Sequence, residues 1–284
     1  MLQGDAIMIS FVILHYNGLE DTMKCIDSIF KNFGSEKINL AIVDNKSIDN
    51  GGLAIKKKYQ KYNNIDVIFN EENVGFSKGN NIGCNYVINK YKPSFICVLN
   101  NDIFIEDADF IKKLKNTYKK NEFDVLGPTI WNTQRLYNQN PSFVISSLEE
   151  INNQIKQSNI SQKLLNSKFP YTFYLYNRFL KGDNKRQEGL HGSALIFSKK
   201  YYARYSNVFP EYTFMYGEEN LLNYRRNYDN LIFYYEPSMK VFHNHSASTS
   251  KSSNNVIEKW KFQLKYIRIA QYKLKEIYEK NERI

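Results

Sequence analysis

Apolar, β-branched runs alternate with amphipathic helical stretches through the first half of this chain, and that order constrains its fold most. Ala6–Leu14 (AIMISFVIL) is continuously apolar, the pattern of a strand buried on both faces. Gly18–Phe33 follows as a predicted helix with Met23, Ile26, Ile29, Phe30 and Phe33 on one side. Further strands are predicted at Ile38–Val43, Ile65–Phe69, Ser94–Leu99 and Asp124–Ile130. Helices at Leu53–Tyr62, Ser77–Lys90 and Ala108–Lys120 separate them. Such alternation predicts an α/β fold with a Rossmann-like, mostly parallel sheet flanked by helices.

Open sheets of this kind bind ligands beyond the C-terminal ends of their strands. Four polar loops fall there: His15-Tyr16-Asn17, Asp44-Asn45-Lys46-Ser47 running on to Asp49, Asn73–Asn81 with Gly75 and Gly79, and Asn100-Asn101-Asp102. The last closes the segment FICVLNND, in which an apolar strand delivers a carboxylate to the sheet edge. Each loop alone reads equally well as a plain turn; four in succession form a polar rim. No GxGxxG follows the first strand and no GxxxxGK[ST] occurs. A diphosphate bound at this rim therefore needs a divalent ion, and Asp102 with Mg2+ is the first pairing to test.

The pattern breaks after the fifth strand. Residues 131–188 are rich in Asn, Gln, Ser and Tyr and read as an insertion, partly helical over Ser147–Asn166, that walls the cleft. Strands resume at Gly192–Lys199, Leu231–Tyr235 and Met239–Phe242, the last two on either side of Pro237. The tail Asn255–Ile284 predicts a basic amphipathic helix with Ile257, Trp260, Leu264, Ile267, Leu274 and Tyr278 on one face. This divides the chain into a catalytic domain at 1–250 and a helical extension at 251–284.

Two later segments carry chemistry. In YTFMYGEENLLNYR, Glu218 and Glu219 are either the acidic first turn of a helix or a general base beside a hydroxyl substrate. In VFHNHSAST, His243 and His245 either close a strand or add an imidazole to the metal held by Asp102; with no Cys or third His nearby, the spacing does not define a zinc site. The three cysteines stand singly, which predicts a reduced, cytoplasmic protein. No apolar run reaches the about 20 residues that a spanning helix needs, so membrane contact, if any, is peripheral. The net charge of +10 favours an anionic partner.

Taken in order, VILHYNG, VDNKSIDN, NEENVGFSKGNNIG, LNND, HGSALIF, FPEYTFMYGEENLLNYR and VFHNHSAST resemble the family 2 glycosyltransferases of the GT-A fold, especially the rhamnosyltransferase-like branch that builds bacterial capsule, O-antigen and cell-wall polysaccharide. The resemblance spans nearly the whole chain. It implies an inverting transferase that moves a sugar from a nucleotide-diphosphate donor, dTDP-rhamnose or a UDP-hexose, to a hydroxyl of a growing glycan. It places Tyr16, Asn17, Asp44, Asn45, Gly75, Lys78, Gly79, Asn80 and Asn101 at the nucleotide sugar. Asp102 and His243 would hold Mg2+ or Mn2+, and Glu219, with Glu218 before it, would be the base. Three positions depart from the family pattern: Glu218-Glu219-Asn220 replaces an acid set with a further Asp, His15 stands where Thr or Ser is commoner, and Asn45 replaces an acid. The acceptor is expected to be lipid-linked at the inner face of the cell membrane, where the basic tail could lie on anionic headgroups; packing across the domain or forming a homodimer are that helix's alternatives. Two rival functions are a nucleic-acid-binding module using the basic surface, though no RNP-type motif is present, and a nucleotidyltransferase.

Overall fold

The computed structural model describes residues 7–33, 36–180, 188–244 and 256–284, excluding the side chains of 177–180. Strand β1 (Ile9–His15) runs parallel to β2 (Ile38–Asp44) on one side and to β4 (Phe95–Asn100) on the other, and β2 pairs in parallel with β3 (Ile65–Phe69). Beyond β4 the direction changes. Strand β8 (Ala194–Ser198) is antiparallel to β4 and to β6 (Val125–Asn132), while β9 (Phe233–His243) is parallel to β6. Two-residue strands β5 (Ile103–Phe104) and β7 (Tyr137–Asn138) add to β9 and β6. The α/β sheet with flanking helices is as expected, with its parallel part concentrated in β3-β2-β1-β4. Strands there are joined by crossover helices, which force parallel pairing; β8 arrives from a long excursion that imposes no such direction.

Helices α1 (Leu19–Phe33), α2 (Gly51–Tyr59), α3 (Phe76–Tyr91) and α4 (Phe110–Asn121) connect the strands up to β6. The later helices are α5 (Leu148–Leu165), α6 (Thr172–Leu180), the single turn α7 (Lys199–Tyr202), α8 (Glu218–Tyr228) and α9 (Val256–Lys280).

β1 shows why its sequence is apolar without alternation. Phe11 and Ile13 enter one core with Ile26 and Ile29 of α1, while Val12 faces the opposite core with Cys84 and Val87 of α3. Burying each large apolar side chain contributes about 1.5–3 kcal/mol, so both sheet faces hold the strand in register. β9 is one strand rather than two. Pro237 offers no N–H, and the pairing slips at Pro128/Thr129, passing from Glu236 to Lys240.

A third core lies under the glutamate pair. Ile151 and Ile155 of α5, Leu221 and Tyr224 of α8, and Leu274 and Ile277 of α9 pack together. The Ser147 side chain caps α5 by accepting from Glu150 N at 3.2 Å, while the Glu150 carboxylate accepts from Ser146 N at 2.7 Å. The buried side of α9 is Leu264, Ala270, Gln271, Leu274 and Ile277, rotated from the face expected from sequence; Ile267 is 36% exposed. Phe262, Ile269 and Tyr272 form an exposed second stripe. The unexpected helix α6 sits where Tyr171, Phe173 and Tyr174 surround Trp260 of α9.

Candidate active site

Parallel register brings three of the polar loops to one edge. His15 pairs with Asp44 at the end of β2, and Leu14 pairs with Asn100 at the end of β4. Asn17, left-handed at φ 59°, turns the chain into α1. Its amide N donates to Ser47 Oγ at 2.9 Å, and its Oδ1 accepts from Ile48 N at 3.0 Å. Ser47 N in turn donates to Asp44 Oδ1 at 2.8 Å. Asn101 Nδ2 donates to Asn17 O at 3.2 Å and to Thr22 Oγ1 at 3.1 Å, tying the end of β4 to the same turn.

Asp44 and His15 press against the first turn of α2, where a Cβ on Gly51 would meet the His15 ring and one on Gly52 would meet the Asp44 carboxylate. His15 is buried, and burial holds its imidazole below the ordinary value against the pull of Asp44 and Asp49.

The loop after β3 is organised by Asn45. Its Nδ2 donates to Asn73 Oδ1 at 2.8 Å and Gly75 O at 3.2 Å, while its Oδ1 accepts from Asn70 Nδ2 at 3.0 Å and Val74 N at 3.1 Å. The amide spends both ends at once, which an acid at this position could not do. Gly75, with φ 84°, sits where a Cβ would strike the Phe214 carbonyl. Lys78 is exposed on the first turn of α3 and Tyr16 is half-buried at the rim. Gly79 and Asn80 turn inward: a Cβ on Gly79 would meet Leu14, and Asn80 Nδ2 donates to Phe76 O at 3.1 Å.

The fourth loop leads to the acidic centre. Asp102, 7% exposed, has its Oδ1 3.1 Å from His243 Nε2, and its carbonyl accepts from Asn244 N at 3.0 Å. His243 Nδ1 is 2.7 Å from Gln139 Oε1, and Gln139 Nε2 is 3.3 Å from His191 Nε2. Next along the chain, Gly192 N donates to Glu219 Oε1 at 3.0 Å. Bonds and backbone therefore run without a break from Asp44 through Ser47, Asn17, Asn101, Asp102, His243, Gln139, His191 and Gly192 to Glu219.

The two glutamates differ. Glu219 is partly accessible on the first turn of α8 and bonded to the Gly192 backbone. Glu218 is buried, and one carboxyl oxygen has no hydrogen-bond partner. Burial, with Glu219 alongside, pushes its carboxyl up to about 8. Desolvation likewise holds His191 below the usual imidazole value against the attraction of Glu219.

Among the described residues no group of three or more His, Cys, Asp and Glu side chains forms a metal cluster. The Asp102–His243 pair suits a divalent ion whose remaining ligands come from a substrate and water: a carboxylate and an imidazole nitrogen stand 3.1 Å apart in a buried setting. A cleft of about 780 Å3 opens at Asp102 and runs along Asp21, Lys24 and Ser28 of α1 beside β5. Asp102 is the member of the bonded rim, alongside neither Asp44 nor Glu219, that this cleft reaches.

Sequence reasoning singled out Asp44, Asn45, Asn101, Asp102, Glu219 and His243 and missed Gln139 and His191, the two residues that join His243 to Gly192 and so to Glu219. His191 opens the HGSALIF motif, a signal available in sequence; Gln139 lay in a polar stretch without periodicity. His245 lies outside the described residues.

A family model described as Glycosyl transferase family 2 matches residues 10–180, more than half of the chain. A curated relative, the low-salt glycan biosynthesis hexosyltransferase Agl10 of Haloferax volcanii, is 25% identical over 135 residues, 47% of this chain and 40% of the relative. The chain thus spans less than half of that relative's length. Among solved structures, S. aureus TarS 1-349 in complex with UDP-GlcNAc aligns with a TM-score of 0.55 at 16% identity, over 88% of this chain and 62% of that one. The mannosyltransferase PcManGT from Pyrobaculum calidifontis, in complex with GDP-Man and Mn2+, aligns at 0.52 and 10% identity over 96% and 73%. These relatives lend no support to a nucleic-acid-binding module.

Proposed function

This chain belongs to glycosyltransferase family 2, and from that premise we propose that it transfers a sugar, with inversion, from a nucleotide-diphosphate donor to a hydroxyl of a surface glycan. The observation that carries this reading is the unbroken path from Asp44 to Asp102 and on to Glu219 along one sheet edge. The nucleotide end of the donor lies by Tyr16, Asn17, Asp44 and Asn45, with Gly75 and Lys78 at the neighbouring loop. Gly79 and Asn80 support that loop from within.

Asp102 and His243 would hold a divalent ion, Mg2+ or Mn2+, which would supply Lewis-acid stabilisation of the diphosphate leaving group. Glu219 accepts the proton of the acceptor hydroxyl, and the Gly192 N–H fixes its carboxylate. The freed oxygen then attacks the anomeric carbon from the face opposite the leaving diphosphate, which inverts that carbon in one step. Relatives with UDP-GlcNAc and GDP-Man bound support a nucleotide-sugar donor; dTDP-rhamnose stands with UDP-hexoses among the candidates. A thermal-shift screen of these donors with Mn2+ tests the reading, because ligand binding raises apparent stability. One donor is expected to raise the midpoint by several degrees and its free sugar not at all; a flat response to every nucleotide sugar would discard it.

For the acceptor we favour a lipid-linked glycan at the inner face of the cell membrane. The support is the exposed stripe Phe262, Ile269 and Tyr272 on α9, with Lys261 and Lys265 on the same helix. No described helix is long and apolar enough to cross a membrane, so contact would be peripheral. Truncating α9 would strip Leu274 and Ile277 from the third core, so point changes are the cleaner test. The triple variant F262S/I269S/Y272S is expected to lose flotation with phosphatidylglycerol vesicles. Unchanged flotation removes the membrane role, and a shift from dimer to monomer in light scattering would assign the stripe to a homodimer instead.

A further inference from the structure

A second cavity, of about 210 Å3, lies where the first turn of α8 meets α5 and α9. Ile145, Ile267, Ala270 and Leu274 give it apolar wall, and Asn220 and Gln271 add carboxamides. Gly217 lets α8 start directly against α9, since a Cβ there would come within 2.7 Å of Ala270 Cβ. Gln271 is the anomaly. It is 7% exposed, and its Oε1 finds no hydrogen-bond partner among the described residues. Native chains rarely leave a buried amide oxygen in that state unless a bound molecule completes it.

Asn220 sets the complementary demand. Its Oδ1 accepts from Ile145 N at 2.8 Å, so its NH2 is the end that serves a ligand. A molecule filling this pocket therefore needs a hydrogen to give to Gln271 Oε1 and an oxygen to receive from Asn220 Nδ2. It also needs a small apolar group to set against Ile145, Ala270 and Leu274, all buried. An acetamido group carries all three in one unit: N–H, C=O and methyl. A hydroxyl has no apolar part for these walls, and a lipid chain has nothing for the amides. Asn220 directly follows Glu219, and consecutive helical side chains diverge by about 100°. The pocket thus lies beside the base rather than in front of it, the place for a substituent next to a reacting hydroxyl.

We propose that the acceptor presents an N-acetylhexosamine unit, and that its acetamido group seats in this pocket with N–H to Gln271 and C=O to Asn220 while a neighbouring hydroxyl meets Glu219. This rests on the transferase reading given above. Asn220, Ala270, Gln271 and Leu274 all lie beyond residues 10–180, the part matched by the family model. Selection of the acceptor then belongs to α8 and the C-terminal helix α9, apart from the strand ends that hold the donor.

The test reads direct binding to the full chain by saturation-transfer NMR without donor. The probes are methyl N-acetyl-β-glucosaminide and methyl N-acetyl-β-galactosaminide, with the matching methyl hexosides as controls. At least one N-acetyl probe is expected to bind at least about 10-fold more tightly than its hexoside, which leaves the amides unpaired and the apolar wall uncovered. The strongest transfer is expected at the acetamido methyl. Gln271→Leu is expected to remove most of that preference. Ile267→Trp, at a position 36% exposed, fills the pocket and is expected to abolish the acetamido signal in a folded chain. Equal binding of both sugar types by the wild type, or an unchanged acetamido signal in Ile267→Trp, overturns the proposal. Dodecyl β-glucoside is the lipid control: if Ile267→Trp removes its alkyl signal and not the acetamido one, the pocket holds a lipid chain and the proposal falls. Should Gln271→Leu fail to fold, the wild type and Ile267→Trp still decide. The thermal-shift screen of nucleotide sugars separates the two layers. A donor response without acetamido preference discards this inference alone. Acetamido binding without any donor response leaves a sugar site and discards its acceptor role together with the transferase reading.

Discussion

Glu219→Gln is expected to slow sugar transfer by about 10²–10⁴-fold, the usual contribution of a positioned general base, while donor affinity stays near wild type. The amide keeps an oxygen for the Gly192 N–H, which now meets Glu219 Oε1 at 3.0 Å, so α8 and the loop before β8 should keep their spacing. What it loses is the capacity to take a proton. Glu218→Gln is the matched control. Glu218 is buried and its carboxyl is pushed up to about 8 by desolvation first and by Glu219 second, so near neutrality it is already largely protonated and an amide resembles it. Its variant is expected to transfer at close to the wild-type rate. It should also change the pH profile of stability in a defined direction. A carboxyl raised in the folded state carries no penalty below its unfolded value of about 4.5 and a growing one as the pH climbs toward about 8. Glu218→Gln should flatten the fall in melting temperature across that window. Single-turnover rates and melting curves over pH check both statements. A slow Glu218→Gln beside a fast Glu219→Gln would exchange the two roles.

Asp102→Asn is expected to lower turnover by about 10²–10⁴-fold, since a Lewis-acid contribution of several kcal/mol corresponds to that range at 1.36 kcal/mol per decade. Unlike the Glu219 change, it should also remove the dependence of donor binding on divalent ions. Asn keeps the size and one oxygen toward His243, and the Asp102 carbonyl that accepts from Asn244 N is untouched. The fold should therefore survive, with the melting temperature of the ligand-free protein near wild type. Steady-state rates against Mn2+ concentration, with thermal shift for donor binding, provide the measurement. Near-normal turnover in the folded variant would falsify the assignment of Asp102. Together the two variants split binding from chemistry: one loses the ion and the donor with it, the other binds and does not react.

The sequence determined the parallel half of the sheet and the residues at its edge. A strand buried on both faces has no polar alternation, as in Ile9–His15, and the residues that follow it must satisfy backbone and solvent, so polarity switches on within two positions. That switch marks Asp44, Asn101 and Asp102 in a linear reading, and the period of the following helices fixes the order. The sequence left Glu218 and Glu219 open between the first turn of a helix and a base beside a substrate; the structure starts a helix there, after Gly217, whose φ of 88° suits glycine.

Tertiary structure alone decided the rest. That Gln139 lies between His191 and His243 depends on β6, β8 and β9 pairing as neighbours across separations of 52 and 104 residues, and no local period encodes such contacts. Which glutamate is buried, and which faces the rim, follows from the packing of α8 on α5 and α9 rather than from their identical side chains. The buried face of α9 was likewise settled by its neighbours, because a helix with apolar residues on two sides leaves the choice to whichever surface offers the larger complementary core.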